Sequence, residues 1–121
     1  MLVNVSNHPH LKWTKKQQKE AQASFGEIVD YPFPQINPFI TSEEVDELVE
    51  KCVRTILSYE NTPDVMVQGE YVLTYRLVDT LKKLNIRCFA AESVRYVEEV
   101  DDEQGDPIKV SFFKFQKFLE Y

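Results

Sequence analysis

The chain has 121 residues, which supports one domain, because two halves would each be too small to bury a stable core. With 43% hydrophobic and 28% charged residues it has ordinary globular composition, which rules out disorder, and no apolar run approaches the roughly 18–20 residues of a membrane-spanning helix. Fourteen Lys and Arg against twenty Asp and Glu give a net charge of −6, which argues against a duplex nucleic-acid partner but leaves room for a small anionic ligand.

Met1 to Ser6 reads as a strand, with Leu2, Val3 and Val5 in a near-continuous apolar run that predicts burial on both faces. The same N-terminus has no basic n-region or small-residue cleavage site, so no signal peptide is expected. Asn7-His8-Pro9-His10 ends the strand. Thr14 caps a polar helix over Lys15 to Phe25, closed by Gly26. Glu27 to Tyr31 is a second strand, and Pro32, Pro34 and Pro38 force an extended loop after it. Thr41-Ser42-Glu43-Glu44 is a capping box. Behind it Val45, Leu48, Val49, Cys52, Val53, Ile56 and Leu57 fall on one helical face. Asn61-Thr62-Pro63 ends that helix, and Val65-Met66-Val67 is a third strand. Gln68-Gly69-Glu70 leads into a third helix, with Leu73, Leu77, Val78, Leu81 and Leu84 inward, and Ile86 to Ala91 is a fourth strand. Val94 to Val100 and Ile108 to about Phe115 flank a turn-rich stretch and predict a separate antiparallel hairpin, with Glu98 and Glu99 suited in sign to Lys109 and Lys114. Cys52 and Cys88 have no metal-ligand spacing and read as reduced core thiols of a cytosolic protein.

The alternation predicts an α/β fold: a Rossmann-like parallel sheet with helices on both faces and a C-terminal hairpin. Ligands of such sheets bind beyond the strand C-termini where the strand order reverses. With order 2-1-3-4 the reversal lies between the first and third strands, so the loops Asn7–Trp13 and Gln68–Thr74 would frame the site.

Gly69 sits at the mouth of that crevice, where a missing Cβ would let a phosphate approach the N–H groups opening the helix; the alternative is a plain tight turn. Glu70 is acidic where an anion would sit, so it either points away or accepts from ribose hydroxyls or a base amino group. His8 suits a phosphate donor or general acid, against a solvated loop histidine, which is the expectation for His10. Two loop histidines without a carboxylate cluster make a weak metal set, so no metal is expected. Trp13 either stacks on a base or packs, and the hydroxyl of Thr74 is set to face the crevice. Arg95 either forks a phosphate or pairs with Glu98 or Glu99. Walker, dinucleotide and nucleophile-elbow motifs are absent.

The chain resembles the small Rossmann-like proteins of type III CRISPR systems, minimal relatives of the CARF sensor domain that include ring nucleases. The resemblance rests on Ser6-Asn7-His8, on the loop Gln68 to Thr74, and on Ala90 to Glu99 leading into a hairpin with an aromatic end. The Gly-Thr-rich phosphate loop of larger CARF domains is absent. The resemblance implies a single CARF-like domain over residues 1–121, a cytoplasmic homodimer, and a cyclic oligoadenylate ligand, with the four-adenosine ring favoured. It implies metal-independent cleavage by the ribose 2′-hydroxyl without a cofactor. On that reading His8, Gly69, Glu70 and Arg95 carry the chemistry, and Asn7, Trp13, Gln68, Tyr71, Thr74 and Ser93 hold the ligand. A non-catalytic sensor or sponge with the same cleft, or a protein-interaction module using the aromatic tail, are the alternative expectations.

Overall fold

In the computed structural model, which describes residues 1–121, the local signals resolve into five strands and three helices. The strands are β1 (Leu2–Ser6), β2 (Ile28–Pro32), β3 (Asp64–Val67), β4 (Cys88–Asp101) and β5 (Pro107–Glu120). The helices are α1 (Lys15–Phe25), α2 (Ser42–Tyr59) and α3 (Tyr71–Lys83), and a short 3-10 turn covers His10–Lys12. Thr14 accepts from the Gln17 N–H to start α1, and Gly26 closes it with φ +82°. Thr41 and Glu44 form the reciprocal capping box of α2.

The sheet order is β2-β1-β3-β4-β5, parallel from β2 to β4 and antiparallel between β4 and β5. β1 and β3 are adjacent, with Val5 opposite Val67, so the reversal of strand order falls between them as the alternation predicts. β1 is central and buried along its whole length. Val3, Val5, Val65 and Val67 point to α2 and α3, where Val49, Ile56, Leu73, Leu77 and Leu81 complete the larger core. Leu2 and Met66 point the other way, to Trp13 and Ala21 under α1. Each large side chain removed from water in this way contributes about 1.5–3 kcal/mol against the entropy of ordering the chain. Leu84 departs from its expected inward position: it ends α3 and is exposed.

The C-terminal region differs from the sequence expectation in a way that matters. The fourth strand and the first arm of the hairpin are one continuous 14-residue strand, and β5 returns along its whole length to pair Glu120 with Phe89. The register shifts between Glu92 and Ser93, leaving Gln116 without a cross-strand partner. This bulge resets the alternation of β5. Phe115 and Phe118, three residues apart, therefore both turn to the α1 side, with ring centroids 4.9 Å apart. Strict alternation would have sent them to opposite faces. Beyond the bulge the ribbon leaves the body, and nearly every residue from Glu92 to Lys114 is exposed. Glu99 lies opposite Lys109, but Lys114 lies opposite Val94, with its ammonium 4.9 Å from the centroid of the Tyr96 ring. No helix is long and apolar enough to cross a membrane.

Candidate functional site

Alternation along β1 sends Asn4 and Ser6 to the α1 side, where Asn4 is 1% exposed. Polar groups this deep must be satisfied within the protein. The Asn4 Nδ2 donates to Asp30 Oδ1 on β2 at 2.8 Å and to the His8 carbonyl at 2.9 Å. Its Oδ1 accepts from the Ser6 hydroxyl at 2.7 Å, and Ser6 Oγ in turn accepts from the His8 N–H at 3.2 Å. The Trp13 indole N–H donates to the same His8 carbonyl at 3.0 Å. Asp30 also accepts from the His10 backbone at 3.0 Å, with His10 Nδ1 2.9 Å from its other oxygen. Burial alone would raise the Asp30 pKa, but the bonds from Asn4 and from the His10 backbone and ring, with the His10 charge, outweigh it and hold the carboxyl below its ordinary value.

The result is a loop after β1 whose backbone is pinned at Asn4, Ser6, Asp30 and Trp13 while the His8 side chain faces out. It forms one wall of a cleft of about 740 Å³ at the strand reversal, within the range of ligand pockets. Asn7, His8, Lys12 and Trp13 line it from this loop, Gln68 and Gly69 from the end of β3, and Ser93 with Phe113 from the root of the ribbon. Lys12 supplies its positive charge, and Glu92 at the rim opposes it. No three His, Cys, Asp or Glu side chains converge as a metal-ligand set.

Of the ten residues singled out from the sequence, Asn7, His8, Trp13, Gln68, Gly69 and Ser93 meet in this cleft. The other four do not. Glu70 turns its carboxylate back on its own helix and accepts from the Val72 and Leu73 N–H groups at 2.9 and 2.8 Å. The Val72 and Leu73 N–H groups opening α3 are thus capped by an internal anion and are closed to a phosphate, whereas the expected Gly69 and Glu70 N–H groups are not engaged by this cap. Arg95 lies out on the ribbon and donates to Ser111 Oγ at 3.0 Å, bonding neither a cleft residue nor the expected Glu98 or Glu99. Tyr71 and Thr74 line a different groove, on the α3 side with Tyr75, Val78 and Tyr121; the Thr74 hydroxyl is buried there without a partner rather than facing the cleft.

Four further expectations change at close range. Gly69 is required by Phe33, whose ring would collide with a Cβ at that position. Gln68 uses its side-chain amide to extend β3, donating to the Ala91 carbonyl and accepting from the Ala91 N–H at 3.2 and 3.1 Å. Trp13 is buried at 8% exposure beside Phe118, so it packs and offers the cleft only an edge. His10 is half-buried on Asp30 rather than solvated. The reading from sequence missed Asn4 and Asp30; the available signal was a polar residue interrupting the apolar run of a central strand, which demands a buried partner. Phe113 was placed only in the aromatic tail, with no signal linking it to the cleft.

The sequence model of a family described as "Uncharacterized protein MJ1673 family" matches residues 1–119. The chain belongs to this family. No curated protein and no solved structure matches it. The family match spans β1 through β5 and so takes in the cleft, the pinned loop and the ribbon.

Proposed function

We propose that the chain binds a cyclic oligoadenylate in the strand-reversal cleft and opens it as a metal-independent ring nuclease of the type III CRISPR kind. The observation that carries this reading is the pinned loop after β1. Asn4, Ser6 and Asp30 fix its backbone, and His8 and Lys12 project into an open cleft at the place where such sheets bind nucleotides. Lys12 supplies charge for a phosphate, the backbone at the tight Gln68–Gly69 turn supplies a close approach, and the Phe113 ring offers a face for a base. In cleavage, the ribose 2′-oxygen attacks the adjacent phosphorus, the bond to the 5′-oxygen breaks, and His8 gives that leaving oxygen a proton. The 2′-hydroxyl proton goes to solvent, leaving a linear product with a 2′,3′-cyclic phosphate. The protein need only hold the attack in line and stabilise charge on the phosphate.

A second reading, a non-catalytic sensor with the same cleft, is favoured by one observation. With Glu70 capping α3 and Arg95 turned to Ser111, few donors remain to stabilise a transition state. The deciding experiment incubates the protein with labelled cyclic tri-, tetra- and hexa-adenylate in EDTA under single turnover, alongside an affinity titration. The ring nuclease reading expects linear product, and a loss of about 10²–10⁴-fold in rate for His8→Ala with affinity little changed. Binding without product supports the sensor. No binding of any ring rejects both.

A further inference from the structure

The ribbon leaves one of its faces without a partner, and that face continues onto the body. On the α3 side of the sheet the cross-strand pairs are Val94 with Lys114, Tyr96 with Phe112, Glu98 with Val110, and Val100 with Ile108. The opposite face pairs Arg95 with Phe113, Val97 with Ser111 and Glu99 with Lys109; Phe113 there belongs to the cleft and Val97 stands alone among polar neighbours, so the continuous apolar stripe is on the α3 side. A two-stranded ribbon is marginal by itself in water, and such a stripe on it calls for cover. At its root the stripe meets Leu119 and Tyr121, and beside them Tyr71 and Tyr75 stand out from α3, 90% and 72% exposed. Taking about 200 Å² for a whole large side chain, the exposed fractions of these residues amount to about 900 Å², against the ~800 Å² that each partner of a standard interface buries.

Charge along the stripe is graded from end to end. Its root carries Lys114 and Lys117, with the single acid Glu92 opposite Lys117, whereas the outer end carries Glu98 and the turn residues Asp101, Asp102, Glu103 and Asp106. A surface that is apolar in the middle, positive at one end and negative at the other is complementary to itself when turned by a half rotation. Like ends would repel in any parallel arrangement.

We propose that this face is an interface with a second copy of the chain, the two ribbons packing antiparallel about a twofold axis. Each acidic tip then lies at its partner's Lys114 and Lys117, and the ribbon, about 30 Å long from Ser93 to Asp101 at ~3.3 Å per residue, gains the cover it lacks. The cleft lies on the α1 side, away from this face. The inference therefore stands apart from the ring nuclease reading, and the two can fail separately.

The test is analytical ultracentrifugation without ligand, from about 1 to 100 µM, which reaches the weak, micromolar end of what a standard interface of this size gives. The wild type should be a dimer. Phe112→Glu, which places a charge at the centre of the stripe twice per dimer, should weaken association about 100-fold or more with the circular dichroism of a folded chain. A charge exchange keeps the test open should that variant misfold. Lys114→Glu with Lys117→Glu makes both ends negative, and Asp101→Lys with Asp102→Lys and Glu103→Lys makes both ends positive. Each should be monomeric alone, and the two should form a heterodimer when mixed. A wild type that stays monomeric at 100 µM would overturn the proposal. So would a dimer that persists in Phe112→Glu, or charge-exchanged chains that ignore one another.

Discussion

Replacing Asp30 by Ala tests whether a buried polar network holds the loop that presents His8. The carboxylate accepts three hydrogen bonds: from Asn4 Nδ2 at 2.8 Å, from the His10 N–H at 3.0 Å and from the His10 ring at 2.9 Å. A hydrogen bond to a charged group is worth about 1.5–3 kcal/mol, and a buried donor left unpaired costs about 1–3 kcal/mol. Two considerations reduce the total. The Asp30 side chain is 32% exposed, so water can replace part of what is lost at the His10 end. Asn4 Nδ2 also keeps its bond to the His8 carbonyl. The expected loss is therefore about 2–3 kcal/mol. Urea denaturation followed by Trp13 fluorescence reads it directly, because Trp13 is the single tryptophan and its indole N–H is bonded to the His8 carbonyl inside the network. The effect also has a pH signature. The Asp30 carboxyl is held below its ordinary value in the folded state, so its stabilisation is fully present above the unfolded pKa of about 3.9 and is lost as pH falls through the lower folded value. The gap between wild type and Asp30→Ala should therefore narrow as the pH falls below about 4. A variant within about 0.5 kcal/mol of wild type at pH 7, or a gap that widens below about pH 4, would refute the account of the loop.

Three further outcomes follow from particular contacts. Gly69→Ala should destabilise by about 1–3 kcal/mol in thermal or urea unfolding, because its Cβ meets the Phe33 ring; pairing it with Phe33→Leu should recover part of the loss. Glu70→Ala removes the cap of α3 and should cost about 0.5–2 kcal/mol by urea denaturation. Burial pushes the Cys88 thiol up to about 12 and raises that of Cys52, so neither should react with a thiol reagent at pH 8 until the chain unfolds; rapid labelling of the native protein would contradict their placement.

The amino-acid sequence alone determined what local chemistry controls. The Thr14 cap, the Thr41–Glu44 box and the period of Val45, Val49, Cys52 and Ile56 set α1 and α2, because these effects act within four residues along the chain. The alternation of strands with helices then restricted the connections to a parallel sheet covered on both faces, and with it the place of the cleft between β1 and β3. Tertiary structure decided the chemistry within that cleft. Asn4 and Asp30 are 26 residues apart and meet only because β2 lies beside β1. The need for Gly69 comes from Phe33, which a Pro-rich loop carries across the end of the sheet. Glu70 was visible at the start of a helix, yet whether its carboxylate met a ligand or its own backbone depended on a rotamer set by the packed turn. The bulge at Gln116 likewise has no local signature; it arises where the packing of Phe115 and Phe118 against the α1 side outweighs regular pairing with β4. Contacts between residues distant in sequence depend on which strands lie side by side, and spacing along the chain does not encode that.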